Sequence, residues 1–141
     1  MSNAADTSRI FGRVDIDRVG DRLELYLLHE NIQSARTFQN ELQAAMKWLR
    51  QALTQELGCD LLYSGCDDVL FQIDTANYNH AGVESLRQQF AGRTGCTLSY
   101  GFGHTIREAV NNLRVAKLSG RDRAIGNAPV AVSLPLEHVT A

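Results

Sequence analysis

A chain of 141 residues, 44% hydrophobic and 21% charged, carries enough apolar material for one compact domain with a sizeable core and leaves no room for a second. Its 14 Lys and Arg against 16 Asp and Glu give a formal net charge of -2, which argues against broad nucleic-acid or membrane-surface binding, so an anionic ligand must be held locally. The cysteines Cys59, Cys66 and Cys96 are odd in number and form no Cys-x-x-Cys pair. They read as reduced thiols of a cytoplasmic protein and speak against a zinc site. No apolar run approaches the roughly 18 residues of a membrane span, and the polar start Met1–Arg9 lacks a secretory core. Residues 1–9 are expected to be a flexible N-terminal segment, residues 10–136 a single domain, and residues 137–141 a loose tail.

Ile10–Asp17 is short, apolar and rich in branched residues, which predicts a first strand. Period 2 puts Asp15 and Asp17 on one face, where two carboxylates at the rim of a core are costly unless something pairs with them or a cation is shared. Val19-Gly20-Asp21 then turns into a helix carrying Leu23, Leu25, Leu27 and Leu28. From Ser34 to Leu57 the positions Phe38, Leu42, Ala45, Met46, Leu49, Leu53 and Leu57 recur mostly at three and four, predicting a long amphipathic helix ended by Gly58. Trp48, off that stripe, reads as a partly covered surface ring.

Asp60–Ser64 and Val69–Ile73 predict a hairpin, and its tip Gly65-Cys66-Asp67-Asp68 holds the second acidic pair. Alone, such a pair is more often a hydrogen-bonded turn than a metal site. Asn79 is expected to cap a third helix running through Phe90 and broken by Gly92–Gly95. Thr97–Gly103, with Leu98, Tyr100 and Phe102 inward, predicts a half-buried strand. Thr105-Ile106-Arg107-Glu108 reads as a capping box for a fourth helix with the stripe Ile106, Ala109, Val110, Leu113 and Ala116, ended by Gly120. His104 is the histidine nearest the expected site, with a surface or capping role preferred. Val130–Leu134, between Pro129 and Pro135, is expected as an edge strand.

Lys117 and Arg121, four apart, share one face at a helix end, where they either complement the helix dipole or grip phosphate oxygens. Arg18-Val19-Gly20 opens a helix straight after a strand, so its backbone N–H groups can face an anion. The order of elements implies an α+β, ferredoxin-like palm with a mostly antiparallel sheet and helices packed on it. The first strand then lies beside the hairpin, with Asp15 close to Asp67.

Four segments carry a resemblance: Val14-Asp15-Ile16-Asp17-x-x-Gly20-Asp21, Ser64-Gly65-Cys66-Asp67-Asp68-Val69-Leu70-Phe71, Leu98-Ser99-Tyr100-Gly101-Phe102-Gly103 and Ala116-Lys117-x-x-Gly120-Arg121-Asp122-Arg123. Over residues 10–126 the chain resembles the polymerase-palm/GGDEF nucleotide cyclase superfamily. Within it, the chain is most similar to the minimal CRISPR polymerase (mCpol) domains, single palms related to that of the large CRISPR effector subunit and found in antiphage signalling systems. The resemblance implies that Asp15, the carbonyl of Ile16, Asp67 and Asp68 bind one or two Mg2+ (or Mn2+) ions, with Asp15, Asp67 and Asp68 catalytic. It places Asp17, Arg18, Val19, Gly20, Ser64, Gly65, Cys66, Lys117 and Arg121 around the nucleotide. Cys66 stands where the GGDEF pattern has its second glycine and is expected as a tolerated substitution lining the sugar pocket, since the reaction needs no covalent nucleophile.

The implied activity is conversion of an NTP, ATP foremost, to a cyclic dinucleotide-type second messenger with release of pyrophosphate. A homodimer would bring two palms face to face, and a downstream effector would sense the cyclic nucleotide. The alternatives are a mononucleotide cyclase and a catalytically inactive nucleotide sensor.

Overall fold

Alternating apolar residues make the central strand: Ile10, Val14 and Ile16 of β1 (Arg9–Ile16) are buried, while Phe11, Arg13 and Asp15 between them are half-buried on the opposite face. A computed structural model describes residues 6–126 of the protein. After β1 come α1 (Val19–Leu28), α2 (Ile32–Gln55), β2 (Asp60–Ser64), β3 (Asp68–Asp74), a short 3-10 turn (Thr75–Asn77), α3 (His80–Thr94), β4 (Leu98–Gly103), α4 (Ile106–Leu118) and β5 (Ala124–Ile125). The sheet runs β2-β3-β1-β4-β5, antiparallel except for the last pair. Its first four strands have the ferredoxin-like order expected from the sequence.

The α2 stripe is the core's other wall. Phe38, Leu42, Ala45, Met46, Leu49 and Leu53 are all buried, packed with Val69 and Phe71 of β3 and with Leu86 and Phe90 of α3. Asn31 begins α2 earlier than Ser34, because its side chain accepts the Ser34 N–H at 3.0 Å. Asn79 caps α3 in the same way, accepting from Gly82 at 2.9 Å, but the helix passes Gly92 and stops at Gly95, whose φ of 76° suits a left-handed C-cap.

Opposite the α2–α3 layer, α4 lies over β4 and β1. Gly101 makes that approach possible: a Cβ there would collide with the backbone of Ala109 and Leu113. With helices on both faces and β1 and β5 at its sides, β4 is buried at all six positions, not half-buried as its alternation predicts. Thr105 caps α4, accepting from Glu108 at 3.1 Å, while the Glu108 carboxylate reaches back to the His104 N–H at 2.8 Å.

β5, which the sequence does not announce, is a two-residue strand beside β4. The expected strand Val130–Leu134 and the expected tail 137–141 lie outside the described residues. Within the segment expected to be flexible, the Thr7 and Ser8 carbonyls are already bound by Thr75. Cys59 and Cys96 are buried, Cys66 is exposed, and all three are free. Burial pushes the Cys59 thiol up to about 12, making it an inert core residue. Trp48 is half-buried, with the Arg93 guanidinium 4.2 Å from its ring. Among the described residues no helix is long and apolar enough to cross a membrane.

Candidate active site

Register delivers the acids to one place. Asp15 stands directly opposite Asp68 on β3 and Ser99 on β4, so the three side chains share a face. The hairpin closes with Gly65 N–H on the Asp68 carbonyl at 2.9 Å, leaving Cys66 and Asp67 as its tip. The tip is then sewn to the end of β1, where the Ile16 N–H donates to the Asp67 carbonyl at 3.1 Å. Two acidic motifs 50 residues apart in the sequence become neighbours through that bond.

Lys117, in the last turn of α4, reaches the first of them. Its ammonium is 3.2 Å from Asp15 Oδ2, 2.7 Å from Asp17 Oδ1 and 3.3 Å from the Ile16 carbonyl. Asp15 nevertheless has its carboxyl raised above the ordinary value. Burial is the largest cause, Lys117 opposes it, and the negative charges of Asp67 and Asp68 add to it. Burial thus outweighs the ammonium at Asp15.

Asp17 is a different kind of carboxylate. β1 ends at Ile16, and Asp17 turns inward to 2% exposure. Both its oxygens are occupied: Thr97 Oγ1 donates at 2.6 Å, Ser99 Oγ at 2.8 Å, Lys117 at 2.7 Å and the Asp122 N–H at 3.1 Å. Burial pushes its carboxyl up, but the hydrogen bonds from Lys117, Thr97 and Ser99 outweigh it and hold it below the ordinary range. Asp17 joins β1, β4, α4 and the α4–β5 turn, and it orients Lys117.

Asp68 is likewise engaged. Its Oδ2 accepts from Arg13, two residues before Asp15, at 2.6 Å, and its other oxygen lies against Gly65, where a Cβ would collide with it. Asp67, by contrast, is exposed, as are Ser64 and Cys66. Arg18 forms the N-cap of α1 with a left-handed φ of 58° and no side chain capping the first turn, so the amides after it are open to an anion. A Cβ on Gly20 would meet nothing within 4 Å, so the helix itself does not require glycine there, whereas a ligand lying close would.

Arg18, Arg121 and Asp122 line a groove of about 560 Å³ between the start of α1, the Gly95–Thr97 segment and the α4–β5 turn. No carboxylate among the described residues pairs with Arg121. His104 is at the far end of β1, its ring nitrogen 2.9 Å from the Arg9 carbonyl, and takes no part.

The donors suit a hard divalent cation: the Asp15 carboxylate, the Ile16 carbonyl and the exposed Asp67 are all oxygen, and the Ile16 carbonyl already accepts from a cationic group. Among the described residues no three acidic, His or Cys side chains converge as a ready-made cage. Sequence reasoning missed Arg13, Thr97, Ser99 and Asp122. Period 2 from Asp15 would have found Arg13, and a serine in the middle of the apolar run Leu98–Phe102 was the available signal for Ser99.

Residues 11–127 match the family described as the minimal CRISPR polymerase domain, mCpol. No curated protein matches the chain. Among solved structures, a Csm1-Csm4 cassette in complex with pppApA aligns with a TM-score of 0.59 and 18% identity over 91% of this chain, and the same cassette with one ATP aligns with 0.59 and 19% over 89%. This chain spans 22% of the cassette chain it matches. The active GGEEF domain of a diguanylate cyclase from Vibrio cholerae aligns with a TM-score of 0.52 and 17% identity, covering 82% of this chain and 80% of that one. These likenesses are of fold, a palm shared across the three.

Proposed function

The chain belongs to the minimal CRISPR polymerase domain family, and from that membership we propose that it is a Mg2+-dependent nucleotidyltransferase converting an NTP, ATP foremost, to a cyclic dinucleotide-type second messenger. The observation that carries this reading is that Asp15 and the Ile16 carbonyl meet at Lys117 while the backbone of Asp67 is bonded to the Ile16 N–H. A half-buried carboxylate and a carbonyl that share one ammonium, with an exposed acid at the adjoining hairpin tip, suit a site that receives a cation and a polyphosphate together.

Asp15, Asp67 and the Ile16 carbonyl would hold the metal, with Mn2+ as a substitute. The chemistry such an ion would supply there is a lowered pKa for an attacking hydroxyl and neutralisation of charge on the phosphates. In the reaction a ribose hydroxyl of one nucleotide loses its proton to solvent and forms a bond to the α-phosphorus of the other, the bond from that phosphorus to the bridging oxygen breaks and pyrophosphate leaves. A second such step in the opposite direction closes the ring and releases a second pyrophosphate. Arg121 and the open amides after Arg18 bind the triphosphate tail, Arg through its two-pronged fork and the amides through the helix terminus. Lys117 passes from Asp15 to a phosphate oxygen while keeping Asp17. Ser64, Gly65 and Cys66 border the sugar.

One palm holds one NTP, so a cyclic dinucleotide calls for a homodimer whose sites face each other. A cytoplasmic protein working in CRISPR-related antiphage signalling, with an effector that senses its product, fits the family. The test is incubation with each NTP and Mg2+ or Mn2+ followed by mass spectrometry. A cyclic dinucleotide and pyrophosphate are expected. A cyclic mononucleotide would redirect the reading to intramolecular attack, and binding without turnover would leave a nucleotide sensor.

A further inference from the structure

Gly120, Arg121 and Asp122 take successive φ angles of 130°, 65° and 51°, and the last two carry a Cβ that the left-handed region disfavours. Such a turn persists only where its surroundings over-determine it. Part of the restraint is local: Arg121 N–H donates to the Ala116 carbonyl at 2.8 Å, and Asp122 N–H is shared between Asp17 Oδ2 and Ser99 Oγ, each at 3.1 Å. The rest comes from another layer of the fold. Arg87 of α3 donates through Nη1 to the Asp122 carbonyl at 3.1 Å and to its carboxylate at 2.5 Å.

The opposite edge of the same guanidinium is fixed by Glu84, one turn earlier on α3, which accepts from Nε and Nη2. The Arg87 side chain is only 17% exposed, and it is absent from the groove lining that includes Arg121. A planar fork satisfied on both edges is rigid in a way that a lysine ammonium is not. Glu84 thus sets Arg87, and Arg87 sets the turn.

We infer that Arg87 is a positioning residue for the nucleotide site: by pinning both the carbonyl and the carboxylate of Asp122, it holds the left-handed turn that turns Arg121 into the groove. The inference rests on the reading of Arg121 as a phosphate contact. Without Arg87 the turn relaxes towards right-handed geometry, Arg121 leaves the groove, and the Asp122 N–H withdraws from Asp17. Asp15 and the hairpin tip make no contact with Arg87 or Asp122, so the effect falls on nucleotide binding, with KM rising more than kcat falls.

The test combines amide hydrogen exchange with calorimetric binding of a non-hydrolysable ATP analogue and Mn2+, on Arg87→Met, Arg121→Ala and the double variant. Arg87→Met should speed exchange at Arg121 and Asp122 by at least about tenfold while Leu98 and Leu113 stay protected. Analogue binding should weaken about tenfold, and in the Arg121→Ala background Arg87→Met should add less than about twofold, since the two act through one contact. Arg87→Lys, which keeps the charge and loses the fork, serves should Arg87→Met not fold, and should loosen the same two amides. Unchanged exchange at these amides, or fully additive binding losses, overturns the role of Arg87. If the wild-type protein binds no analogue, the nucleotide reading falls instead, while the exchange measurement still decides whether Arg87 holds the turn.

Discussion

The Lys117 ammonium lies 3.2 Å from the Asp15 carboxylate and donates to the Ile16 carbonyl at 3.3 Å, the same two oxygen groups proposed to hold the metal. Lys117 and a divalent cation therefore compete for one position until a phosphate gives the ammonium another partner. Metal and nucleotide should bind together better than either binds alone. Lys117→Met should tighten Mn2+ binding to the nucleotide-free protein by about tenfold, equivalent to about 1.4 kcal/mol, and weaken binding of the metal–nucleotide pair. Titration followed by electron paramagnetic resonance reads the first, and calorimetry the second. Equal or weaker Mn2+ binding by the variant would show that Lys117 does not stand in for the metal.

Asp15 should be needed for activity yet costly for stability. Its carboxyl is raised by burial and by the charges of Asp67 and Asp68, so the folded protein holds that proton more tightly than the unfolded chain. By linkage, its contribution favours folding at low pH and diminishes as pH rises from the ordinary value of 3.8 through the raised one. Asp15→Asn removes the penalty. Its melting temperature should rise by roughly 2–4 °C at pH 7, with Mg2+-dependent product formation abolished. Asp67→Asn, at the exposed tip, should abolish product as well, with little change in melting. A variant of either kind with full activity would remove the metal assignment.

Asp17 runs the other way. Four donor groups hold its buried carboxylate, and its carboxyl lies below the ordinary value of 3.8. The stability it supplies is therefore complete above that value and is lost as pH falls through the lowered one. Asp17→Ala leaves Lys117 and the Asp122 N–H without this partner, and should cost about 3 kcal/mol, a fall in melting temperature on the order of 10 °C. Melting measured across pH should also show a shallower acid limb in the variant than in the wild-type protein. An unchanged limb would mean that Asp17 does not anchor the network.

The sequence pattern announces whatever one element decides by itself. The α2 stripe, the Asn79 and Thr105 caps and the hairpin tip are each written in a few adjacent residues and are found where expected. What depends on packing is hidden. β4 alternates like a half-exposed strand, yet α4 covers its second face through Gly101. Asp15 and Asp17 look equivalent by period, but β1 ends between them, and the donors that capture Asp17 come from Thr97, Ser99 and Asp122. No local pattern ties residue 17 to residue 122.

Arg13 and Asp68 form an ion pair of 2.6 Å, with their side chains 32% and 10% exposed, and this pair can be separated from metal binding by comparing variants. As the structure stands, Asp68 steadies the hairpin tip through Arg13, and the tip presents Asp67. Asp68→Asn and Arg13→Gln should then weaken Mn2+ binding alike, each by roughly tenfold, as outer partners of metal ligands commonly do. Asp67→Asn should eliminate it. In a double-variant cycle, Arg13→Gln on top of Asp68→Asn should add little, because both act through one contact. A loss in Asp68→Asn far larger than in Arg13→Gln would instead make Asp68 a direct ligand that leaves Arg13 when the cation arrives.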